Sequence, residues 1–187
     1  MSRVRAMLFD LDGTLLDSAP DLVAALNHVR AIENFDPIPV EKISRHASKG
    51  AVGLLTAGMP QTDQQTFQAW RQIFLDFYAQ NSYRKTGVYD GVEELLQAIE
   101  AAGIPWGVVT NKIESLSGPV IEAAGWKSRA ACVVCGDTVS ESKPHPAPVL
   151  HACEIMGVVP GETLFAGDDV RDIQAGLAAG ALTAAIH

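Results

Sequence analysis

The sequence predicts an α/β protein with a doubly wound parallel sheet and a smaller helical domain inserted after the first strand. From residue 89 onward, a unit of helix, glycine and apolar strand repeats. Such alternation is typical of parallel βαβ units. Residues 18–86 instead show amphipathic helical patterns and no convincing strand. We therefore expect a Rossmann-like core formed by residues 1–17 and 88–187, and a helical domain formed by residues 18–87.

The first predicted strand ends in a pair of acids. An apolar run from Val4 to Phe9 is followed by Asp10, Leu11, Asp12, Gly13 and Thr14. In open α/β sheets, ligands bind beyond the carboxyl ends of the strands. Two neighbouring carboxylates repel each other unless a cation or a shared proton relieves them. A solvated acidic turn is the alternative interpretation of this motif taken alone.

The insert begins with a predicted helix start. Ser18 and Asp21 match the spacing of a capping box, and Pro20 falls in the first turn. A second amphipathic helix is predicted near residues 64–79. Its aromatic face is expected to pack inside the insert rather than bind a ligand, and it comprises Phe67, Trp70, Phe74 and Phe77.

The repeating half predicts four helices, each followed by a glycine and then a strand. A glycine just past a helix commonly adopts the left-handed conformation that ends it. The helices are expected over 93–102, 115–124, 146–156 and 170–179, and the glycines are Gly103, Gly125, Gly157 and Gly180.

Polar side chains follow three strands of this half. Thr110, Asn111 and Lys112 follow the strand that ends at Val109. Lys143, with Pro144 and Pro146 after it, precedes a predicted helix in the loop after the next strand. Asp168, Asp169 and Asp172 follow the strand that ends near Ala166. Singly, they could be a cap residue, a surface charge and an acid cluster at a helix N-terminus. Because parallel strands end at one edge of a sheet, their joint order instead predicts a single site that includes the first acid pair.

Composition excludes several other classes of protein. The net charge is -8 over 187 residues, which disfavours a nucleic-acid partner. No apolar stretch is long enough to span a bilayer or form a signal-peptide core, so a cytoplasmic location is expected.

Cys132 and Cys135 form a CxxC within a predicted buried strand, where they point to opposite faces. We expect these cysteines and Cys153 to serve core packing.

Taken together, the motifs resemble those of haloacid dehalogenase superfamily phosphatases over essentially the whole sequence. The insert is similar to the small cap domain of one subfamily. Within the superfamily, the sequence resembles phosphoglycolate phosphatases and the phosphatases that act on N-acetylmuramic acid 6-phosphate. The four motifs match, in order, Asp10-Leu11-Asp12-Gly13-Thr14, Thr110, Lys143, and Gly167-Asp168 with Asp172.

The resemblance implies a role for each motif residue. Asp10 would attack phosphorus to form an aspartyl phosphate, and Asp12 would act as general acid and base. Lys143 and Thr110 would hold the phosphoryl oxygens, and the expected substrate-binding residues are Thr14, Asn111 and, in the cap, Lys49. Magnesium would be held by Asp10 and Asp168, by Asp12 through its backbone carbonyl, and by Asp172 or Asp169 through water.

We expect a magnesium-dependent phosphomonoesterase of the phosphoglycolate phosphatase type, acting on a small phosphorylated metabolite as a monomer or homodimer. An N-acetylmuramic acid 6-phosphate phosphatase is the alternative. Asp12 argues against a dehalogenase, and Thr14 disfavours a phosphomutase. A non-catalytic phosphate-binding protein is a further alternative, against which the intact motif set argues. Relatives usually continue beyond the strand near Ile186, and this difference is expected to expose one sheet edge.

Overall fold

The computed structural model describes residues 4–186. Strands and helices alternate through the second half of the chain. The strands are β1 (Ala6–Phe9), β2 (Leu16–Asp17), β3 (Gly87–Val88), β4 (Trp106–Val109), β5 (Cys132–Val134), β6 (Thr163–Gly167) and β7 (Leu182–Ala185). The helices are α1 (Ala19–Ile32), α2 (Val40–Ile43), α3 (Gly50–Gly58), α4 (Gln64–Asn81), α5 (Val92–Ala101), α6 (Glu114–Ala123), α7 (Ala147–Met156) and α8 (Val170–Ala179), with 3₁₀ turns at Ser44–Lys49 and Pro160–Glu162.

The main sheet is parallel, as predicted. Its strand order is β5-β4-β1-β6-β7, with β1 at the centre. In the register of the sheet, Phe9 lies beside Val108 of β4 on one side and Ala166 of β6 on the other. The residues that follow β1, β4 and β6 therefore emerge side by side at one edge of the sheet.

The helices of the repeating half confirm the sequence pattern to within one residue at each end. All four predicted cap glycines have positive φ, from +65° at Gly157 to +80° at Gly180. The sheet is buried against these helices, since Leu8, Val109 and Phe165 are fully inaccessible to solvent. A continuous apolar core of this kind holds the strand ends in fixed positions.

The chain divides into two compact units. One comprises Met1–Leu16 and Val88–His187, and the other comprises Asp17–Gly87. The strands β2 and β3, at the two points where the chain passes from one unit to the other, pair in a small separate sheet. Met1 to Arg3 and His187, which the predicted core range includes, lie outside the described residues.

The second unit is helical, and its interior differs in detail from the predicted aromatic face. Trp70 and Phe74 of α4 are buried, as expected, but the third buried aromatic is Tyr78. Phe77 is only partly buried and stacks on the ring of His28, with 4.3 Å between the ring centroids. Phe77 thus packs against a residue of α1 inside the helical unit, as expected, although it is not fully buried, and Phe67 is likewise only partly buried.

The predicted capping box at the start of α1 is absent. Ser18 is the N-cap residue, but its side chain makes no cap hydrogen bond, and its buried hydroxyl has no hydrogen-bond partner in the described part of the chain. The carboxylate of Asp21 instead accepts hydrogen bonds from the backbone N–H groups of Arg84, Lys85 and Thr86. Asp21 thus ties the beginning of the helical unit to its end, a long-range contact that competes with the local cap.

The three cysteines lie in the core. All three are free thiols and buried. Burial raises the pKa of Cys132 to about 11 and also raises the pKa values of Cys135 and Cys153. High thiol pKa values favour the unreactive form. The strand is shorter than predicted and ends at Val134, before Cys135.

Two surface features bear on the remaining expectations. Among the described residues, no helix is long and apolar enough to cross a membrane. The strand β7 forms one edge of the sheet, and Leu182 within it is 43% exposed.

Candidate active site

Asp10 stands at the carboxyl end of the central strand. Its backbone N–H donates to the carbonyl of Ala166 at 2.9 Å, which continues the β1–β6 ladder by one residue. Its side chain is only 9% exposed and accepts a hydrogen bond from the ammonium of Lys143 at 2.8 Å. The first acid of the motif is thus a buried carboxylate with a fixed cationic neighbour.

Lys143 links the ends of two strands and the first turn of α8 through one ammonium group. Its Nζ donates to Asp10 Oδ1 at 2.8 Å and to the carbonyl of Val109 at 2.7 Å. It also forms an ion pair with Asp172 Oδ1 at 2.7 Å. An ammonium has three donors, and these three contacts use them all. Lys143 therefore draws Asp10 and Asp172 together beneath the strand ends.

Burial sets the charge balance of this group. Burial raises the pKa of Asp10 to about 6, with Asp172 adding to the rise and Lys143 opposing it. Burial alone would lower the pKa of Lys143, but the charges of Asp10 and Asp172 outweigh it and raise that pKa. A further cation beside Asp10 would favour its ionised form, which is the form that can act as a nucleophile.

Asn111 positions the backbone of Lys143. Its Nδ2 donates to the carbonyl of Lys143, and its Oδ1 accepts from the N–H of Lys143, both at 2.9 Å. The sequence predicts a substrate-binding role for Asn111. In this structure its side-chain amide fixes the backbone of Lys143 against the end of β4, and the predicted contact with substrate stays a prediction.

Asp12 is paired with a second lysine, Lys112, which the sequence analysis placed near the site without giving it a role. Nζ of Lys112 lies 2.9 Å from Oδ1 and 3.1 Å from Oδ2 of Asp12. The two side chains are 7% and 16% exposed, respectively. The only sequence signal was the place of Lys112 two residues after Thr110, which does not reveal a partner a hundred residues earlier.

Thr14 and Asp168 are joined by a side-chain hydrogen bond. The Thr14 hydroxyl donates to Asp168 Oδ1 at 3.0 Å. Gly13, which precedes Thr14, has a φ of +89°, and a Cβ added there would stand 2.4 Å from Asp168 Oδ2. The turn therefore requires glycine both for its backbone conformation and for the close approach of the carboxylate. Thr14, predicted to bind substrate, orients Asp168 in this structure.

Asp172 and Asp169 form a capping box at the start of α8. Asp172 Oδ2 accepts from the N–H of Asp169 at 3.0 Å, while its Oδ1 contacts Lys143. Asp169 is paired with Arg171, whose Nε lies 2.8 Å from its Oδ1. A Cβ at Gly167 would stand 2.3 Å from Asp172 Oδ2, so this glycine makes room for the buried carboxylate.

Three of these acids could hold a metal ion. One carboxylate oxygen from each of Asp10, Asp168 and Asp172 lies within 4.8 Å of the others. Hard oxygen donors of this kind suit Mg²⁺. Asp10 and Asp168 fit as direct ligands. Both oxygens of Asp172 already have partners, Lys143 and the N–H of Asp169.

The other predicted residues are placed as follows. Thr110 is buried at the end of β4, and its hydroxyl accepts from the N–H of Lys112 at 3.2 Å. Lys49 ends the 3₁₀ turn of the helical unit and is exposed. The geometry thus brings together Asp10, Asp12, Thr14, Thr110, Asn111, Lys143, Asp168 and Asp172 within the sheet-containing unit.

Comparison with known proteins agrees with this geometry. The family model of haloacid dehalogenase-like hydrolases matches residues 7–186. The chain belongs to this family.

Among curated proteins, the chain is 42% identical over 186 residues to an N-acetylmuramic acid 6-phosphate phosphatase of Pseudomonas aeruginosa, covering 99% of this chain and 82% of that protein. It is 44% identical over 176 residues to a phosphoglycolate phosphatase of Xylella fastidiosa, covering 94% and 77%. A crystal structure described as a predicted phosphoglycolate phosphatase of Haemophilus somnus superposes with a TM-score of 0.86 at 29% identity, covering 99% and 86%. The protein is an enzyme of the phosphatase class within its family.

Proposed function

We propose that the protein is a magnesium-dependent phosphomonoesterase of the phosphoglycolate phosphatase type that works through an aspartyl phosphate on Asp10. The observation that carries the proposal is the buried Asp10 carboxylate, which is held by Lys143 and converges with Asp168. Hydrolysis of an N-acetylmuramic acid 6-phosphate is the second candidate. This candidate is favoured by the 42% sequence identity between the chain and a phosphatase named for that substrate.

In the first step, an Asp10 oxygen forms a bond to phosphorus while the bond from phosphorus to the ester oxygen breaks. Asp12 supplies the proton that the departing alkoxide takes up. In the second step, water attacks phosphorus, Asp12 takes its proton, and the Asp10 carboxylate is released. Phosphate and an alcohol are the products, and Asp12 ends as it began.

The phosphoryl group of the substrate is negatively charged, and the carboxylates of the site would repel it. Lys143 and Thr110 would face its oxygens, with Asn111 holding the lysine loop in place. Magnesium held by Asp10, Asp168 and the Asp12 carbonyl, with Asp172 close by, supplies charge neutralisation and orientation of the phosphate when bound.

Removal of magnesium is expected to stop turnover. Exhaustive chelation should reduce hydrolysis of an aryl phosphate to background, and added Mg²⁺ should restore it, because two carboxylates would otherwise face the phosphate uncompensated. Ca²⁺ should not restore activity, since it binds the same oxygens with looser geometry. Undiminished turnover in chelator would contradict the magnesium requirement.

Replacing Asp12 with Asn is expected to slow hydrolysis in a way that depends on the leaving group. The loss in kcat should be about a hundredfold greater for alkyl phosphates than for nitrophenyl phosphate, because only the poor leaving groups need a proton. The measurement is kcat across a series of esters with different leaving-group pKa. An equal loss across the series would show that Asp12 is not the acid.

We propose that the helical unit serves as the cap and that Lys49 reads the substrate's leaving group. Supporting this is the position of Lys49 on an exposed turn between Ser44 and the start of α3. Lys49→Ala should lower kcat/KM for the true substrate by about tenfold and leave that of nitrophenyl phosphate unchanged. Lys42→Ala, another exposed lysine of this unit, is the matched control. An unchanged kcat/KM for the true substrate would reduce Lys49 to a surface charge.

The substrate is tested by comparing kcat/KM for phosphoglycolate and N-acetylmuramic acid 6-phosphate under the same conditions with Mg²⁺. We expect the higher value for phosphoglycolate. A hundredfold preference for the sugar phosphate would establish the second candidate instead, and it would leave the roles of Asp10 and Asp12 intact.

A further inference from the structure

The pairing of Lys112 with Asp12 has no explanation in the steps given above. The lysine side chain is buried, and its ammonium contacts both oxygens of the carboxylate that is proposed to serve the leaving group. Its backbone is also fixed. The Lys112 carbonyl accepts from the N–H of Gly136 at 2.9 Å and from the Ser117 hydroxyl at 3.2 Å. The position of this ammonium is therefore well defined.

The two lysines at the strand ends contact different acids, so they would serve different parts of the substrate. Lys143 is committed to Asp10, Asp172 and the carbonyl of Val109. Together with a bound metal ion, it would offset the charge of the phosphoryl group. Lys112 stands instead beside Asp12, the residue proposed to protonate the leaving group. A leaving group that carries a carboxylate would lie among the acids of the site and be repelled by them. Binding such a group therefore requires a cation beside it.

Distance allows Lys112 to be that cation. A general acid lies about 3 Å from the oxygen that it protonates, and Lys112 Nζ is 2.9 Å from the nearer Asp12 oxygen. The ammonium thus falls within about 6 Å of the leaving oxygen. A carboxylate one carbon away from that oxygen spans most of this gap, because each covalent step covers about 1.5 Å.

We propose that Lys112 is a specificity-determining residue that binds a carboxylate attached one carbon from the scissile ester oxygen. The substrates it favours are phosphate esters of 2-hydroxy acids. The proposal rests on the proposed function, because it takes Asp12 as the group that serves the leaving oxygen. It also differs from the role proposed for Lys49, since Lys112 lies in the sheet-containing unit, at the strand ends themselves.

The experiment compares three phosphate esters of similar size on the full chain with Mg²⁺: phosphoglycolate, its neutral amide and ethyl phosphate. In the unsubstituted protein, kcat/KM for phosphoglycolate should exceed that of the amide by about 10- to 100-fold, as expected for a charge-assisted contact in a buried setting. In Lys112→Met this ratio should fall to about one. Lys127→Met, a change at a lysine whose side chain is 72% exposed, should keep the ratio of the unsubstituted protein.

Two results would overturn the proposal. One is a ratio near one in the unsubstituted protein. The other is a ratio preserved in Lys112→Met, and if all three esters also lose activity equally, Lys112 is only a positioning partner of Asp12. Should thermal unfolding show that Lys112→Met does not fold, Lys112→Gln is used and judged by the same ratio. Failure of the proposed function is distinguishable, because nitrophenyl phosphate would then also go unhydrolysed.

Discussion

Asp10→Asn should abolish turnover, with kcat for nitrophenyl phosphate reduced at least about a thousandfold, which corresponds to roughly 4 kcal/mol in the barrier. The amide has the size of the carboxylate but cannot attack phosphorus or ligate Mg²⁺ comparably. Lys143 keeps its contacts to Asp172 and the carbonyl of Val109, so the variant should remain folded.

The control for this substitution is Asp76→Asn, an exposed aspartate that accepts a hydrogen bond from Gln72. It should retain full activity. If Asp10→Asn kept activity within about tenfold of the unsubstituted protein, Asp10 would not be the phosphate acceptor.

Lys143→Met should impair both activity and stability. The substitution leaves the buried carboxylates of Asp10 and Asp172 without their shared ammonium. Removing one partner from a buried ion pair typically costs about 3 kcal/mol or more in the free energy of unfolding. We also expect at least a hundredfold loss in kcat, because a positive charge that would offset the charge of the phosphoryl group is lost.

The stability loss in Lys143→Met should depend on pH in a defined direction. Burial already raises the pKa of Asp10 to about 6, and removal of Lys143 removes an effect that lowers it. The variant's Asp10 therefore binds a proton more readily, so its repulsion with Asp172 is relieved at acid pH and grows as the pH rises.

Denaturant unfolding in chelator at pH 5 and pH 8 measures this dependence, with the exposed Lys127→Met as control. A smaller loss at pH 8 than at pH 5, or no loss at either, would contradict the assignment of Lys143 as the cation of a buried carboxylate pair.

The sheet was predictable because its signals are local. Each apolar strand, each helix and each cap glycine is a short pattern, and the parallel arrangement follows from their alternation. The position of Asp10 beside the ends of β4 and β6 then follows from topology, since strands that run parallel end at one edge.

The side-chain partners were not predictable, because they depend on contacts between distant residues. Asn111 could be placed near the site, but its reciprocal pairing with the backbone of Lys143 depends on the path of a loop. The same holds for Lys112 with Asp12, which are a hundred residues apart.

In the helical unit, long-range contacts outweighed the local pattern. The capping box suggested by Ser18 and Asp21 is lost because the Asp21 carboxylate satisfies three consecutive backbone N–H groups at residues 84–86. Nothing in the local sequence around Ser18 signals that alternative. Such competition is general for Asp and Ser side chains, which bond whichever backbone donor the fold presents.

The most direct test of the account is to trap the covalent intermediate. The full chain with Mg²⁺ is mixed with a ³²P-labelled phosphate ester, quenched in acid within milliseconds and digested for peptide mapping. We predict label on the peptide that contains Asp10, released by hydroxylamine as expected of an acyl phosphate, and no label in Asp10→Asn. Steady turnover without any labelled protein, or with the label on a peptide that lacks Asp10, would contradict nucleophilic catalysis by this residue.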